Sequence, residues 1–87
     1  MNADSLRDAA DKAYSFAFTY VRDHGVYGET RWGKSAPEIP ASVQSALSAI
    51  GGSVREGLQR INNTSGEPLA HLKREFVEAY MRARRLA

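Results

Sequence analysis

Large apolar residues recur from Val43 to Ile61 at Val43, Leu47, Ile50, Val54, Leu58 and Ile61, at intervals of 4, 3, 4, 4 and 3. At about 100° per residue they fall within roughly 60° of one another, which marks one face of an α-helix. Beside them runs a stripe of small residues: Ser42, Ala46, Ala49, Ser53 and Gly57. A ridge next to a groove suits a central helix with neighbours on two sides. Gly51-Gly52 interrupts the stretch, and each glycine costs about 1 kcal/mol in a helix relative to alanine. The phase nevertheless carries across. Val43 and Val54, Leu47 and Leu58, and Ile50 and Ile61 are each 11 positions apart, close to three turns. The pattern predicts one central helix over about 41–62, opened by Pro40 or Ala41 and bent at the glycines. In such a helix, alanine at both glycines is expected to stabilise.

Upstream, Leu6, Ala10, Ala13, Ala17 and Tyr20 share one helical face, Tyr14, Phe18 and Val21 lie on an adjacent one, and Phe16 stands outside both. Asn2 or Asp4 can cap this first helix, Arg22 and His24 suit its end, and Gly25 is the expected C′ residue. Its second half, YSFAFTYV, is apolar nearly all round. That implies either burial on two sides or an aromatic patch completed by another chain. Downstream, Leu69, Leu72, Phe76, Tyr80 and Ala83 line a last helix, with Val77, Ala79 and Leu86 widening the face. Thr64 and Glu67 have capping-box spacing and Pro68 fits a first turn.

Between the first two helices, Gly25 to Pro40 holds three glycines and two prolines, too many for a regular helix. A short hairpin of Val26-Tyr27 with Arg31-Trp32 about Gly28-Glu29 is expected there, and Ser35 and Glu38 allow a brief capped turn. The prediction is therefore one all-α domain over 1–87. It is a small bundle of three main helices near 3–23, 41–62 and 66–85, with one long irregular loop between the first and the second.

Eighty-seven residues bury only about 60–65% of their unfolded surface. The core is thin, and self-association is a common way to complete one. The absence of cysteine excludes disulfides and thiolate metal sites. The net charge is +2, with the surplus at the C-terminal end: residues 64–87 hold five bases and three acids. This is too mild to identify a nucleic-acid binder. The longest uncharged run, residues 39–54, spans 16 positions, short of the ~20 a membrane helix needs. The polar, acidic N-terminus does not read as a signal peptide, so a cytoplasmic protein without membrane contact is expected.

Residues 28–35, GETRWGKS, fit the phosphate-loop pattern G-x-x-x-x-G-K-[ST] letter for letter. That loop works only between a buried strand and a helix that starts on its Lys-Ser. Here a helix precedes it and APEIP follows, so nucleotide chemistry is not expected. His24 and His71 lie on different helices without further ligands at a recognisable spacing. No nucleophile motif is present. The expectation is no enzyme, no catalytic residue, no cofactor, no metal and no small-molecule substrate.

Two binding readings remain. The leading one is a non-enzymatic helical binding protein, a regulator, adaptor or inhibitor that acts on a protein partner, as a homodimer. Its contact residues are Tyr14, Phe18, Tyr27, Arg31, Trp32 and Lys34. Of these, Arg31, Trp32 and Lys34 form a cation–aromatic–cation group that can anchor a partner, unless Trp32 folds onto the helices as a lid. The alternative is nucleic-acid binding. It uses either a helix-turn-helix about Gly51-Gly52, with Arg55, Gln59 and Arg60 on the reading helix, or the basic last helix with Lys73, Arg74, Arg82, Arg84 and Arg85.

Overall fold

The central apolar stretch folds as two helices, not one. The computed structural model describes residues 3–86, with side chains from 4 to 85. Its helices are α1 (Ala3–His24), α2 (Ala41–Gly51), α3 (Val54–Asn62) and α4 (Glu67–Leu86). The all-α class stands as predicted; the count rises from three main helices to four.

The break has a local cause. Gly52 adopts φ +97°, the left-handed conformation that ends helices, and its N–H closes on the Ser48 carbonyl. Ser53 then turns extended, and its hydroxyl accepts the Glu56 N–H at 3.1 Å. Ser53 and Glu56 thus open α3 with capping-box spacing. The 11-residue phase survives because both helices face one core: Val43, Leu47, Ile50, Leu58 and Ile61 are all buried. An unbroken phase therefore does not require an unbroken helix.

The small-residue stripe serves the expected packing only in part: α2 has neighbours on two sides, α3 and α4, and Ala46 is fully buried, but Ala49 is exposed and Ser53 is a cap. Gly57 is buried where α3 crosses α2, and a Cβ there would overlap the Leu47 carbonyl oxygen. A Cβ at Gly51 would likewise strike the Gly57 backbone nitrogen. Glycine at these sites lets two backbones touch.

Helix α2 is the hub, with α3 and α4 both packed on it and α1 touching it, while α1 packs mainly on α4 and also meets α3. Phe76 and Leu47 are the largest fully buried side chains. The predicted inner faces are largely correct: Leu6, Ala10, Ala13, Ala17, Leu72 and Tyr80 are buried, and Leu69 and Ala83 are half-buried. Met81 joins the core as well.

Helix ends follow the expected chemistry in part. Gly25 closes α1 by donating to the Val21 carbonyl at 2.8 Å. Asn2 lies outside the described residues, and Asp4 sits inside the first turn of α1 rather than capping it. Thr64 does not cap α4. Its hydroxyl donates back to the Arg60 carbonyl and so finishes α3. No helical turn forms at Ser35–Glu38. Among the described residues no helix is long and apolar enough to cross a membrane.

Candidate protein-binding surfaces

α1 carries aromatic pairs on two opposite sides. Tyr14 and Phe18 are four residues apart and so lie one above the other. The Tyr14 ring is buried, edge-on to Phe76 with centroids 5.6 Å apart. Burial pushes its phenol pKa up, and the Lys73 ammonium lies 5.8 Å from its centroid. Phe18 stacks on Tyr14 at 6.2 Å but remains 39% exposed. It stands as a ridge between two hollows. One, of about 300 Å³, is walled by Val21, Ile61 and Leu69; the other, of about 280 Å³, by Tyr14, Leu69 and Lys73.

On the other side, Phe16 and Tyr20 repeat the same spacing, with ring centroids 6.3 Å apart and Tyr20 5.6 Å from the His24 ring. Both are half-buried. With Thr19, His24 and Pro37 they line a groove of about 350 Å³, rimmed by Lys12 and Asp23. Asp23 is hydrogen-bonded to the Arg22 guanidinium at 3.0 Å. That bond, against a smaller desolvation effect, holds its carboxyl below the usual carboxylate range and the Arg22 guanidinium above its own.

The irregular loop is pinned rather than loose. The Glu29 N–H donates to the His24 carbonyl at 2.6 Å, and His24 Nδ1 lies 2.9 Å from the Glu29 carbonyl oxygen. The imidazole therefore donates from Nδ1, and residue 29 is clasped to the end of α1 at two points. The Glu29 carboxylate accepts from Arg31 Nε and Nη2 at 3.2 and 2.9 Å, and Arg31 Nη1 reaches the Arg22 carbonyl at 3.4 Å. The expected hairpin about Gly28-Glu29 is absent. The turn instead falls at Trp32-Gly33, where Lys34 N–H donates to the Arg31 carbonyl at 2.9 Å and residues 31 and 34 form an antiparallel bridge. Both turn residues have positive φ, +55° and +72°, the pairing of a tight primed turn. Trp32 is not a lid: its side chain is 86% exposed.

The remaining sequence candidates are scattered. Tyr27 is 65% exposed, with the Arg55 guanidinium 4.6 Å from its ring centroid. Arg60 Nη1 is held by the Ile50 carbonyl at 2.8 Å and the Glu75 carboxylate at 3.0 Å, which braces α3 against α2 and α4. Gln59 is exposed on α3. On α4, Lys73 and Arg74 border a hollow shared with Arg7 and Asp11 of α1. Arg84 stacks near Tyr80 and faces Ser42 and Ser45 of α2. Arg82 and Arg85 are exposed on the same helix. The structure therefore brings Tyr14 together with Phe18, and Arg31 with Trp32 and Lys34, but gathers the eight basic and polar candidates onto no single face.

Lys34-Ser35 opens no helix, since α2 starts six residues after Ser35, and no strand precedes Gly28 among the described residues. The phosphate-loop lettering thus lacks its strand–loop–helix frame. Among the described residues no three His, Cys, Asp or Glu side chains converge as metal ligands. Sequence reasoning missed the Phe16–Tyr20 groove, although the i, i+4 spacing was visible. It also missed the His24–Glu29 clasp, which no local pattern announces. No known protein family, curated protein or solved structure matches the chain.

Proposed function

We propose that this is a non-enzymatic helical binding protein that acts through protein–protein contacts and pairs with a second copy of itself through the Phe18 face. The observation that carries the reading is Phe18, exposed as a ridge between two hollows with apolar walls. A ridge beside a hollow is self-complementary under a twofold axis, because each ridge meets the other copy's hollow. Phe18 is 39% exposed, and a ring of this kind carries about 150–250 Å², so covering it removes about 60–100 Å² per copy, worth about 1.5–2.5 kcal/mol. That is a large share for a thin core.

Sedimentation equilibrium tests it. Wild type should associate at micromolar concentrations and keep associating at high salt, because the contact is apolar. Phe18→Glu should stay folded and lose this contact. A wild type that remains monomeric at high micromolar concentration refutes the pairing.

One observation favours a second reading. Helix–turn–helix geometry about a left-handed glycine is what a nucleic-acid reader would use, and Gly52 provides that turn between α2 and α3. Against it, Arg60 is committed to Ile50 and Glu75, Arg55 to Tyr27, and Glu56 lies in the first turn of α3. These leave little free positive charge on α3 to meet phosphates. Binding of duplex DNA that falls steeply with salt would move the second reading ahead of the first.

A further inference from the structure

The bend between α2 and α3 is held by contacts that each have a substitute in a straight helix. Gly52 ends α2 at φ +97°, and the Ser53 hydroxyl accepts the Glu56 N–H. In a continuous helix the Gly52 carbonyl would accept that N–H instead. The Ile50 carbonyl, which would then accept from the Val54 N–H, is filled in the bend by the Arg60 guanidinium at 2.8 Å. The bonds from the Gly52 N–H to Ser48 and from the Gly57 N–H to Ser53 already have helical spacing and serve either form. The stretch therefore has two arrangements that satisfy these groups alike. The apolar phase suits both, since Val43, Leu47, Ile50, Val54, Leu58 and Ile61 keep one face in a straight helix.

The bend also divides the core. Among the described residues α1 and α2 touch each other only lightly, and α3 and α4 meet less still. Nearly all the packing runs between the two halves: α2 on α3 and α4, and α1 on α4 and α3. Tyr14 of the first half lies edge-on to Phe76 of the second. Neither half buries its apolar face by itself. Straightening the bend carries the second half away from the first and leaves both faces bare. The surface that fits each face is the one it has just left, and a second copy of the chain carries it.

We infer that residues 51–54 are a hinge, and that two copies exchange their second halves, α3 and α4, by joining α2 and α3 into one helix of about 33 Å. Each copy's first half then packs on the other copy's second half, and the core contacts of the single chain are restored between chains. The exchange is independent of the Phe18 pairing, which leaves each chain closed. Opening breaks the core, so the exchange takes place as chains fold together at high concentration, not from the folded protein.

Full-length protein tests this when it is unfolded in urea and refolded at about 1 μM and at about 1 mM, as wild type and as two variants. Gly52→Ala penalises the left-handed bend and not the straight helix. Val54→Pro does the reverse. Position 54 opens α3, where proline fits, and Ser53 is already extended at φ −151° and ψ 168°, as a residue before proline should be. Inside a continuous helix the same proline breaks the ladder. Isotope-labelled and unlabelled chains are mixed in equal amounts while unfolded, and the readout is a Tyr14–Phe76 ring contact between differently labelled chains. In the Phe18 pairing that contact stays within one chain.

Gly52→Ala should form exchanged dimers with a midpoint on the order of a hundredfold below the wild type's, because both chains shed the penalty of the bend. Val54→Pro should form none and remain folded as a closed chain. If Gly52→Ala does not refold, Ser53→Ala takes its place, since it removes only the cap that the bend requires. A Tyr14–Phe76 contact between chains that is missing from both the wild type and the bend-weakening variant at the higher concentration overturns the inference. So does a contact that Val54→Pro leaves in place. Neither result touches the Phe18 pairing, which Phe18→Glu removes and the hinge variants do not.

Discussion

Replacing Gly57 by alanine separates the observed two-helix arrangement from the continuous helix that periodicity suggests. In a continuous helix the substitution is welcome, because alanine relieves the cost of glycine by about 1 kcal/mol. In the structure a Cβ at Gly57 would lie 2.7 Å from the Leu47 carbonyl carbon and 2.8 Å from its Cα, and would overlap the carbonyl oxygen. These are backbone atoms of α2, with no rotamer to change. α2 and α3 would have to part by about 1 Å, loosening Leu47, Leu58 and Ile61 where they are packed most tightly.

Overpacking of this kind costs about 1–3 kcal/mol, occasionally more, and a backbone neighbour places it at the upper end. After the propensity gain, Gly57→Ala should destabilise by about 1–3 kcal/mol. A chain of 87 residues holds about 4–13 kcal/mol in all, so the loss is easily measured. Urea unfolding followed by far-UV circular dichroism should show a lower midpoint with an unchanged slope. Thermal unfolding should fall by about 4–8 °C for each kcal/mol. A midpoint equal to or above the wild type's would refute the close approach of α2 and α3.

Gly52→Ala should lose about 1–2 kcal/mol, because the left-handed conformation penalises a Cβ, where a straight helix would gain about 0.4–1 kcal/mol; the same urea titration reads the sign. Ser53→Ala removes the cap of α3 and should cost about 1 kcal/mol, with Ser53→Asp recovering most of it. Asp23 has a folded pKa held below its unfolded value by Arg22. The stabilisation it contributes is therefore present above the ordinary carboxylate range and is lost as pH falls through the folded value. Asp23→Asn should flatten the acid limb of stability below about pH 4, and high salt should erase the difference, since the pair is a surface one.

The helices were legible because their burial follows a period. Leu6, Ala10, Ala13 and Ala17, and Leu72, Phe76 and Tyr80, read directly as inner faces and are buried. The break in the middle was not, although its signals were local. Ser53 and Glu56 have capping-box spacing, and Gly52 is the common residue for a left-handed end. Periodicity outweighed them because phase records which way side chains point, and two helices that fold onto the same core can keep it. The Thr64–Glu67 spacing misled for a related reason. A threonine hydroxyl can donate backward as well as accept forward, and here it closes α3. The loop was least legible. Its order comes from the His24–Glu29 clasp and the Glu29–Arg31 pair, contacts that arise only once the chain has turned back on α1.

Those loop contacts and the two faces of α1 belong together. Tyr14–Phe18 and Phe16–Tyr20 project on opposite sides of one helix, and among the described residues α4 and α3 provide most of the helical packing against it, α2 less. They cover Tyr14 and Val21 but stop short of Phe18, which stays 39% exposed. The second side receives no helix. It receives Pro37 and the clasped loop, which leave Phe16 and Tyr20 half-buried in an open groove. A loop can cover one side of a helix this way only if its backbone groups are satisfied, which is what the His24–Glu29 clasp and the 31–34 bridge do. The bracing that closes the loop also sets Trp32 outward. Apolar surface left on one side of α1 and an indole presented beside it thus go together, because a braced loop rather than a helix covers the Phe16–Tyr20 side.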